Sequence, residues 1–469
     1  MVRRSISVFF LLWLLVSVRA LAGDDAAAIE QLRAELLQLR QTVSELQKRL
    51  ALQEARNATP PPATAETARD QDTLAAQLAQ ELGTSSSSPA ATSPLATQPI
   101  VLAGGGKNYL NLSLDALVAA GASTAPDVSQ VQTGGHDPSQ RGFTVQNVEM
   151  VLEGAVDPYF KGQANLVWQL DAEGESVVEL EEAYLTTTAL PRNLQVKAGT
   201  FFSEFGRLNA QHPHSWDFVD QPLVNGRFMG PDGLRGPGAR VSWLAPTPFY
   251  LETSLTVQNG QGETAVSFRN TPGEELFGRT ITSRTVKSVR DMLWIPRVAA
   301  SFDLSDTQTL LLGATAAHGP NGSGEDTYTS LYGIDLFWKW KSPHAEAGFP
   351  FAKVQVEAMS RHYDAGANEL LPSEHLRDTG AYAQASWGFR RGWIAGVRGD
   401  WIDGDEGAFA PDPLRDRRWR TAANLTWFPT EYSKLRLQWN HDRLEDRGSE
   451  ESLWLQAEFL LGAHAAHKC

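Results

Sequence analysis

The sequence predicts an all-β transmembrane barrel of about 16 antiparallel strands, preceded by a short periplasmic α-helical coiled coil and a disordered linker. Two observations carry this prediction. Short segments alternate strictly between apolar and polar residues, and the connections between them are alternately short and long. Because successive side chains of a strand point to opposite faces, each segment forms a strand with one apolar and one polar face. Short turns at one end and long loops at the other are typical of outer-membrane barrels.

Two segments carry a tryptophan at each end of the apolar face. One runs from Trp393 to Trp401, and the other runs from Trp419 to Trp427. An interval of eight residues keeps both rings on one face and spans about 27 Å of strand. At a tilt of about 40° this corresponds to roughly 20 Å of height, near the apolar band between the aromatic girdles of a transmembrane barrel. A soluble sheet with edge tryptophans is the alternative.

The chain divides into four predicted regions. Residues 1–22 have the basic start, the apolar core and the Ala20-Leu21-Ala22 cleavage pattern of a signal peptide. Residues 23–56 carry an apolar repeat at steps of three and four, which predicts a coiled coil, with a lone amphipathic helix as the alternative. Residues 57–107 form a low-complexity linker rich in Pro, Ser, Thr and Ala. Residues 108–469 form the barrel.

Composition narrows the class of protein. The mean hydropathy is −0.29, and no long apolar run follows the signal peptide, so we expect no spanning helix. A closed barrel can still cross a membrane, because its backbone pairing is complete. The single cysteine, Cys469, excludes an intrachain disulfide. A net charge of −14 argues against a nucleic-acid partner.

Sixteen segments fit the strand pattern. The fourth is the weakest, because Glu182 breaks its alternation. An even number of strands means that the chain enters the first strand and leaves the last strand on the periplasmic side, where the coiled coil and linker must also lie. The predicted strands lie near 108–119, 143–156, 160–171, 177–188, 194–203, 238–245, 249–258, 294–303, 308–317, 328–341, 351–362, 378–389, 393–402, 418–428, 432–443 and 452–461.

The polar face of these strands predicts the lining of a pore. Charged groups at membrane depth must contact water or pair with one another, and a barrel of this size encloses water. Salt-bridge networks along the wall are the alternative for some of these residues. Acidic positions share the same face, so neither sign dominates. The cations predicted to line the pore are Lys161, Lys197, Arg240, Arg297, Lys353, Arg398, Arg420 and Arg436.

The loop at 204–237 is the third long connection and is predicted to fold into the lumen. It is long, yet it carries four large aromatic residues that favour burial. An external loop packed on itself is the alternative. Inward folding would bring six charged or ionisable residues to a constriction, namely Arg207, His212, His214, Asp217, Asp220 and Arg227. Four of these offer imidazole and carboxylate ligands that suit Zn²⁺, namely His212, His214, Asp217 and Asp220.

Three short segments resemble the phosphate-selective porin O/P family of outer-membrane proteins. They are Asp157-Pro158-Tyr159-Phe160, Glu182-Ala183-Tyr184-Leu185, and the run from Ala198 to Phe202 that continues into Phe205-Gly206-Arg207. The resemblance implies a trimeric channel for anions or small solutes. Phosphate-selecting members line the lumen with a ladder of Lys and Arg, whereas the predicted lumen charges here are mixed. The segment 212–220 is also similar to a subgroup described as zinc-regulated outer-membrane receptors.

Several functions follow from these patterns. We expect a non-enzymatic outer-membrane pore for small hydrophilic solutes or ions, including anions such as phosphate, that works without a cofactor and assembles as a homotrimer in lipid. A zinc-linked uptake receptor is one alternative. A barrel-anchored tether that reaches the cell wall through the coiled coil is another. Ser215 beside His214 does not amount to a catalytic constellation, because adjacency alone places no nucleophile against a base.

Overall fold

The computed structural model describes residues 100–105, 108–155, 157–170, 174–410, 412–445 and 447–462. Within these residues there is one α-helix, α1 (Leu223–Met229), and no helix is both long and apolar enough to cross a membrane. The remaining regular structure is mostly strand. The strands are β1 (Ile100–Gly105), β2 (Asn108–Ser123), β3 (Gly142–Ala155), β4 (Phe160–Leu170), β5 (Ser176–Thr187), β6 (Leu194–Phe202), β7 (Arg235–Leu244), β8 (Tyr250–Gln258), β9 (Glu275–Leu276), β10 (Arg279–Thr280), β11 (Leu293–Ser305), β12 (Gln308–Pro320), β13 (Tyr328–Glu346), β14 (Phe349–Ala365), β15 (Glu374–Arg390), β16 (Trp393–Gly404), β17 (Arg418–Thr430), β18 (Ser433–Leu444) and β19 (Gly448–Leu461).

Sixteen of these strands, β2–β8 and β11–β19, form one closed antiparallel barrel. Strand β8 pairs directly with β11, because the two-residue strands β9 and β10 form a small hairpin of their own. The last strand, β19, pairs with β2 from Ser452 opposite Ser123 to Leu461 opposite Leu114, which closes the ring. Closure removes the exposed edges that an open sheet presents. The predicted fold of a 16-stranded antiparallel barrel is therefore confirmed.

The outer face of the barrel is apolar, as the alternation predicts. Strand register places Trp393 opposite Trp427 and Trp401 opposite Trp419. The ring centroids of these pairs are 5.8 Å and 6.0 Å apart. Between the two pairs, β16 exposes Val397, which keeps 58% of its surface accessible. The outer wall therefore carries an apolar band with paired indoles at both ends.

Short turns join the strands at one end of the barrel. The Asp157 side chain accepts hydrogen bonds from the backbone N–H groups of Tyr159 and Phe160, at 2.7 Å and 3.0 Å, and so closes the β3–β4 turn. Ala347 and Gly348 join β13 to β14 with φ values of 48° and 87°. Two positive φ values match the right-handed twist of the flanking strands. The long loops all lie at the opposite end.

The predicted signal peptide (1–22), coiled coil (23–56) and most of the linker (57–107) lie outside the described residues. One part of the linker prediction needs correction, because residues 100–105 form β1. Strand β19 ends opposite Leu114, so the first residues of β2 extend beyond β19 and do not pair with it. Strand β1 pairs with this stretch, from Ile100 opposite Leu112 to Gly105 opposite Asn108.

Two long loops fold into the barrel and bury an apolar cluster there. The first inward loop comprises residues 203–234 and contains α1, and the second comprises residues 259–292. The Ser267 hydroxyl of the second loop donates a hydrogen bond of 2.5 Å to the Phe228 carbonyl of the first. The buried cluster joins both loops to the inner wall, and comprises Phe205, Leu223, Val224, Phe228, Met229, Leu234, Ala265, Phe268, Leu293, Ile295, Ala317, Leu331, Met359, Tyr382 and Ile402.

Candidate functional site

The first inward loop leaves and rejoins the wall through a narrow neck. The Ser203 N–H donates to the Leu234 carbonyl at 2.9 Å. The Asn209 side chain bridges the same two residues, since its amide donates to both carbonyls and its oxygen accepts from the Leu234 N–H at 2.8 Å. A neck closed by backbone and side-chain hydrogen bonds lets the intervening residues cross the lumen as one unit.

Asp220 holds this loop against strands β16, β17 and β18. Its carboxylate accepts hydrogen bonds from Arg398 at 2.8 Å and Arg420 at 2.9 Å. The amides of Gln438 and Asn440 donate to it at 2.9 Å and 2.6 Å. Burial raises the pKa of Asp220, but the two guanidinium groups outweigh burial and lower the pKa to about 2. The carboxylate is therefore ionised at neutral pH and paired on every side.

Glu357 of β14 holds the beginning of the loop. Its carboxylate accepts from the Leu208 N–H at 2.8 Å and from the Tyr382 hydroxyl at 2.6 Å. A Cβ on Gly206 would lie 2.0 Å from this carboxylate, so a side chain at this position would displace it. The Arg207 guanidinium lies over the Phe337 ring, 4.0 Å from its centroid. The loop is therefore held on both sides of the barrel.

Arg361, also on β14, joins both inward loops to the wall. Its guanidinium donates to the Asp378 carboxylate at 2.8 Å, to the Arg227 carbonyl at 3.2 Å and to the Ser267 hydroxyl at 3.0 Å. The central guanidinium carbon, Cζ, lies 4.9 Å from the centroid of the Phe228 ring. Arg361 keeps only 1% of its surface accessible, so these contacts are shielded from water.

The cations predicted to line the pore all lie on the inner face. Seven of the eight make ion pairs or ring contacts, whereas Arg436 donates to the Thr426 hydroxyl, the Gln456 side-chain oxygen and the Trp216 carbonyl. Arg240, Arg398, Arg420 and Arg436 are buried under the inward loops instead of facing open water. Lys161 and Lys353 keep about half and a quarter of their side chains accessible. The pairs are Lys161 with Glu153, Arg240 with Glu204 and Glu252, Arg297 with Asp335, and Lys353 with Asp217, while Lys197 lies over the rings of Tyr184 and Phe201.

The structure does not bring together the four residues predicted to bind a metal. His212 and His214 lie together, with ring centroids 5.9 Å apart, against β3 and β5. Asp217 instead pairs with Lys353 at 2.6 Å, and Asp220 pairs with Arg398 and Arg420. The reason is that the loop crosses the lumen between these positions. Residues close in sequence therefore meet different walls.

The carboxylates beside the two histidines were missed in the sequence. Nδ1 of His212 lies 3.2 Å from Glu149 and 2.9 Å from Glu181, and Nε2 lies 3.0 Å from Glu182. Nδ1 of His214 lies 3.2 Å from Glu149. Burial lowers the pKa of His212, but Glu149 and Glu181 outweigh burial and raise it well above its ordinary value.

A β-bulge explains why both Glu181 and Glu182 contact this histidine. The β4–β5 register steps from Asn165 opposite Glu182 to Leu166 opposite Leu180, which leaves Glu181 without a partner residue. A bulge reorients side chains where the ladder is interrupted. The broken alternation at Glu182 was the available signal, and it marked this bulge.

The chain has a relative among known proteins. It is 33% identical over 360 residues to an uncharacterized protein of Aquifex aeolicus, and the match covers 71% of this chain and 72% of the relative. No family model matches the chain.

Solved structures with a similar backbone are outer-membrane proteins of low sequence identity. The channel DcaP of Acinetobacter baumannii is 12% identical, with a TM-score of 0.49 over 76% of this chain and 97% of DcaP. An anion-selective porin from Comamonas acidovorans is 9% identical, with a TM-score of 0.48 over 75% of this chain and 100% of the porin. OmpT of Vibrio cholerae is 6% identical, with a TM-score of 0.47 over 77% of this chain and 99% of OmpT.

Proposed function

This chain belongs to the same family as the uncharacterized Aquifex aeolicus protein, and we propose that it is an outer-membrane porin through which small hydrophilic solutes diffuse. One observation carries the proposal: a closed 16-stranded barrel is apolar outside and charged inside, and two loops narrow its lumen. A charged interior within an apolar wall suits the passage of water-soluble molecules through a membrane. In this proposal, solutes cross the lumen by diffusion and the protein catalyses no reaction.

The proposal is tested by conductance in a planar bilayer. We expect the purified protein to give stable, ohmic current steps, and a KCl gradient gives the sign of its ion preference through the reversal potential. Block by added phosphate would support the narrower phosphate-porin hypothesis. If folded, heat-modifiable protein inserts but conducts no current, the pore hypothesis is wrong.

The charges that line the accessible part of the lumen favour neither sign. Lys161 lies 2.9 Å from Glu153, and Lys353 lies 2.6 Å from Asp217. Because both of these cations are balanced by a carboxylate, a solute meets paired charges there in place of a ladder of cations. We therefore propose weak ion selectivity, which allows phosphate to pass without a strong preference for it.

Membrane embedding predicts a specific cost for a charge on the outer wall. Replacing Val397 by lysine is expected to lower the free energy of unfolding by about 2–4 kcal/mol, because Val397 lies midway between two girdle tryptophans. Reversible urea unfolding in lipid vesicles measures this change. Leu370→Lys is the control, since Leu370 is 91% exposed in the loop between β14 and β15. Equal changes in both variants would mean that Val397 faces water.

We also propose that three copies assemble through the wall formed by β2–β6. This outer face has a groove of about 560 Å³. Small residues let another wall approach closely. The mass of the detergent-purified protein, measured by light scattering, tests the trimer, and a monomer would contradict it. The small residues of the outer face that line the groove are Gly154, Gly162, Ala164, Ala183 and Ala198.

A further inference from the structure

Three histidines and four carboxylates meet where the first inward loop crosses β3 and β5. All seven side chains are buried, and the ion pairs that these carboxylates make within the described part of the chain are with the histidines. A buried excess of carboxylates is unstable unless positive charge balances it. The members of this acid–histidine cluster are Asp115, Glu149, Glu181, Glu182, His136, His212 and His214.

Three members have the spacing of ligands around one cation. One ligand atom each from Glu149, Glu181 and His212 lie within 4.8 Å of one another. Two ligand atoms about 2.1 Å from a cation are about 3.0 Å apart at the right angle of an octahedral site and about 3.4 Å apart at the tetrahedral angle that Zn²⁺ prefers. Nδ1 of His212 lies 3.2 Å from Glu149 Oε1 and 2.9 Å from Glu181 Oε2, which is close to these separations.

Two further carboxylates have the positions that support a metal site. Nε2 of His212 lies 3.0 Å from Glu182. A carboxylate that accepts one ring N–H of a histidine orients the other ring nitrogen toward a metal. Asp115 is 2% exposed, lies 3.9 Å from Nδ1 of His214, and accepts no hydrogen bond from a described residue on either oxygen. A cavity of about 20 Å³, lined in part by Glu181 and His136, adjoins the cluster and has room for about one water molecule.

We propose that Glu149, Glu181 and His212 bind one divalent transition-metal cation, with Glu182 as the positioning residue of the histidine ring. Imidazole suits Zn²⁺ and other late transition metals, and carboxylates suit Mn²⁺. Ca²⁺ and Mg²⁺ bind sites made of oxygen ligands alone, so they fit this site less well. The bound cation joins the first inward loop to two wall strands.

Calorimetric titration of the full, folded chain in detergent with ZnCl₂, and separately with MnCl₂, tests the proposal. We expect one cation per chain. We expect Glu181→Gln and His212→Ala each to weaken binding by at least about tenfold, because each removes a direct ligand. His318→Ala and Glu325→Gln are matched controls, since both residues are exposed and lie outside the cluster. We expect both controls to bind as the wild type does.

Thermal unfolding separates lost binding from lost folding. ZnCl₂ should raise the unfolding temperature of the wild type, because a ligand that binds only the folded state stabilises it. The rise should disappear in folded Glu181→Gln protein. The proposal is overturned if neither metal binds the wild type, or if both ligand variants bind as tightly as it does.

An effect of ZnCl₂ on conductance would rest on the proposed pore, whereas calorimetry reports binding whether or not the protein conducts. A protein that binds the cation but carries no current would therefore refute only the pore. A conducting protein that binds no cation would refute only the metal site.

Discussion

Replacing Asp220 by alanine is expected to lower the free energy of unfolding by about 3–5 kcal/mol and to raise single-channel conductance. The carboxylate is the shared acceptor for Arg398, Arg420, Gln438 and Asn440, all of them buried. Arg398 and Arg420 keep Asp400 and Asp442 as ion-pair partners, but they lose the carboxylate that they share, and breaking a buried ion pair is strongly destabilising. The first inward loop should then leave the wall and widen the path through the lumen. Urea unfolding in vesicles and bilayer recordings measure the two effects.

Asp326→Ala provides the control for this substitution. Asp326 is an exposed loop carboxylate, so its removal should change the free energy of unfolding by less than about 0.5 kcal/mol. Its conductance should equal that of the wild type. A loss of stability in Asp220→Ala without any change in conductance would mean that the loop does not limit the passage of ions.

The barrel was predictable because the alternation of apolar and polar residues can be read within each strand. Alternation along a single strand, as between Trp393 and Trp401, fixes which face is apolar without knowledge of any neighbour. The inward folding of the first loop was favoured by its aromatic content, and Phe205 and Phe228 are indeed fully buried inside the barrel. The second inward loop has fewer aromatic residues, and nothing in its sequence alone distinguished it from an external loop.

The partners of the charged residues were not predictable, since they depend on three-dimensional register. Alternation placed Arg398 and Arg420 on the inner face, but their common partner, Asp220, lies about 180 to 200 residues away along the chain. The metal hypothesis grouped His212 with Asp217 because they are close in sequence. The loop turns between them, and Glu149 and Glu181 from the wall take the place next to the histidine.

Replacing Arg361 by methionine is expected to lower the free energy of unfolding by about 3–5 kcal/mol, because Asp378 loses one of its buried partners and both inward loops lose a shared donor. Methionine fills much of the space beside the Phe228 ring, so a large cavity does not explain the loss. Conductance should rise, as for Asp220→Ala. Arg377→Met makes the same replacement at an exposed position of β15 and should leave both quantities unchanged.

The double variant Asp220→Ala/Arg361→Met tests whether these two residues hold the two inward loops in place as one unit. Asp220 contacts strands β16–β18, whereas Arg361 lies on β14. The first inward loop connects the two positions through α1, and the second inward loop packs on the same helix. If the loops are released together, the first substitution already removes contacts that the second would break. The combined loss should then be smaller than the sum of the single losses by about 0.5–3 kcal/mol. Additive losses, with two separate increases in conductance, would mean that each wall holds its part of the loop independently.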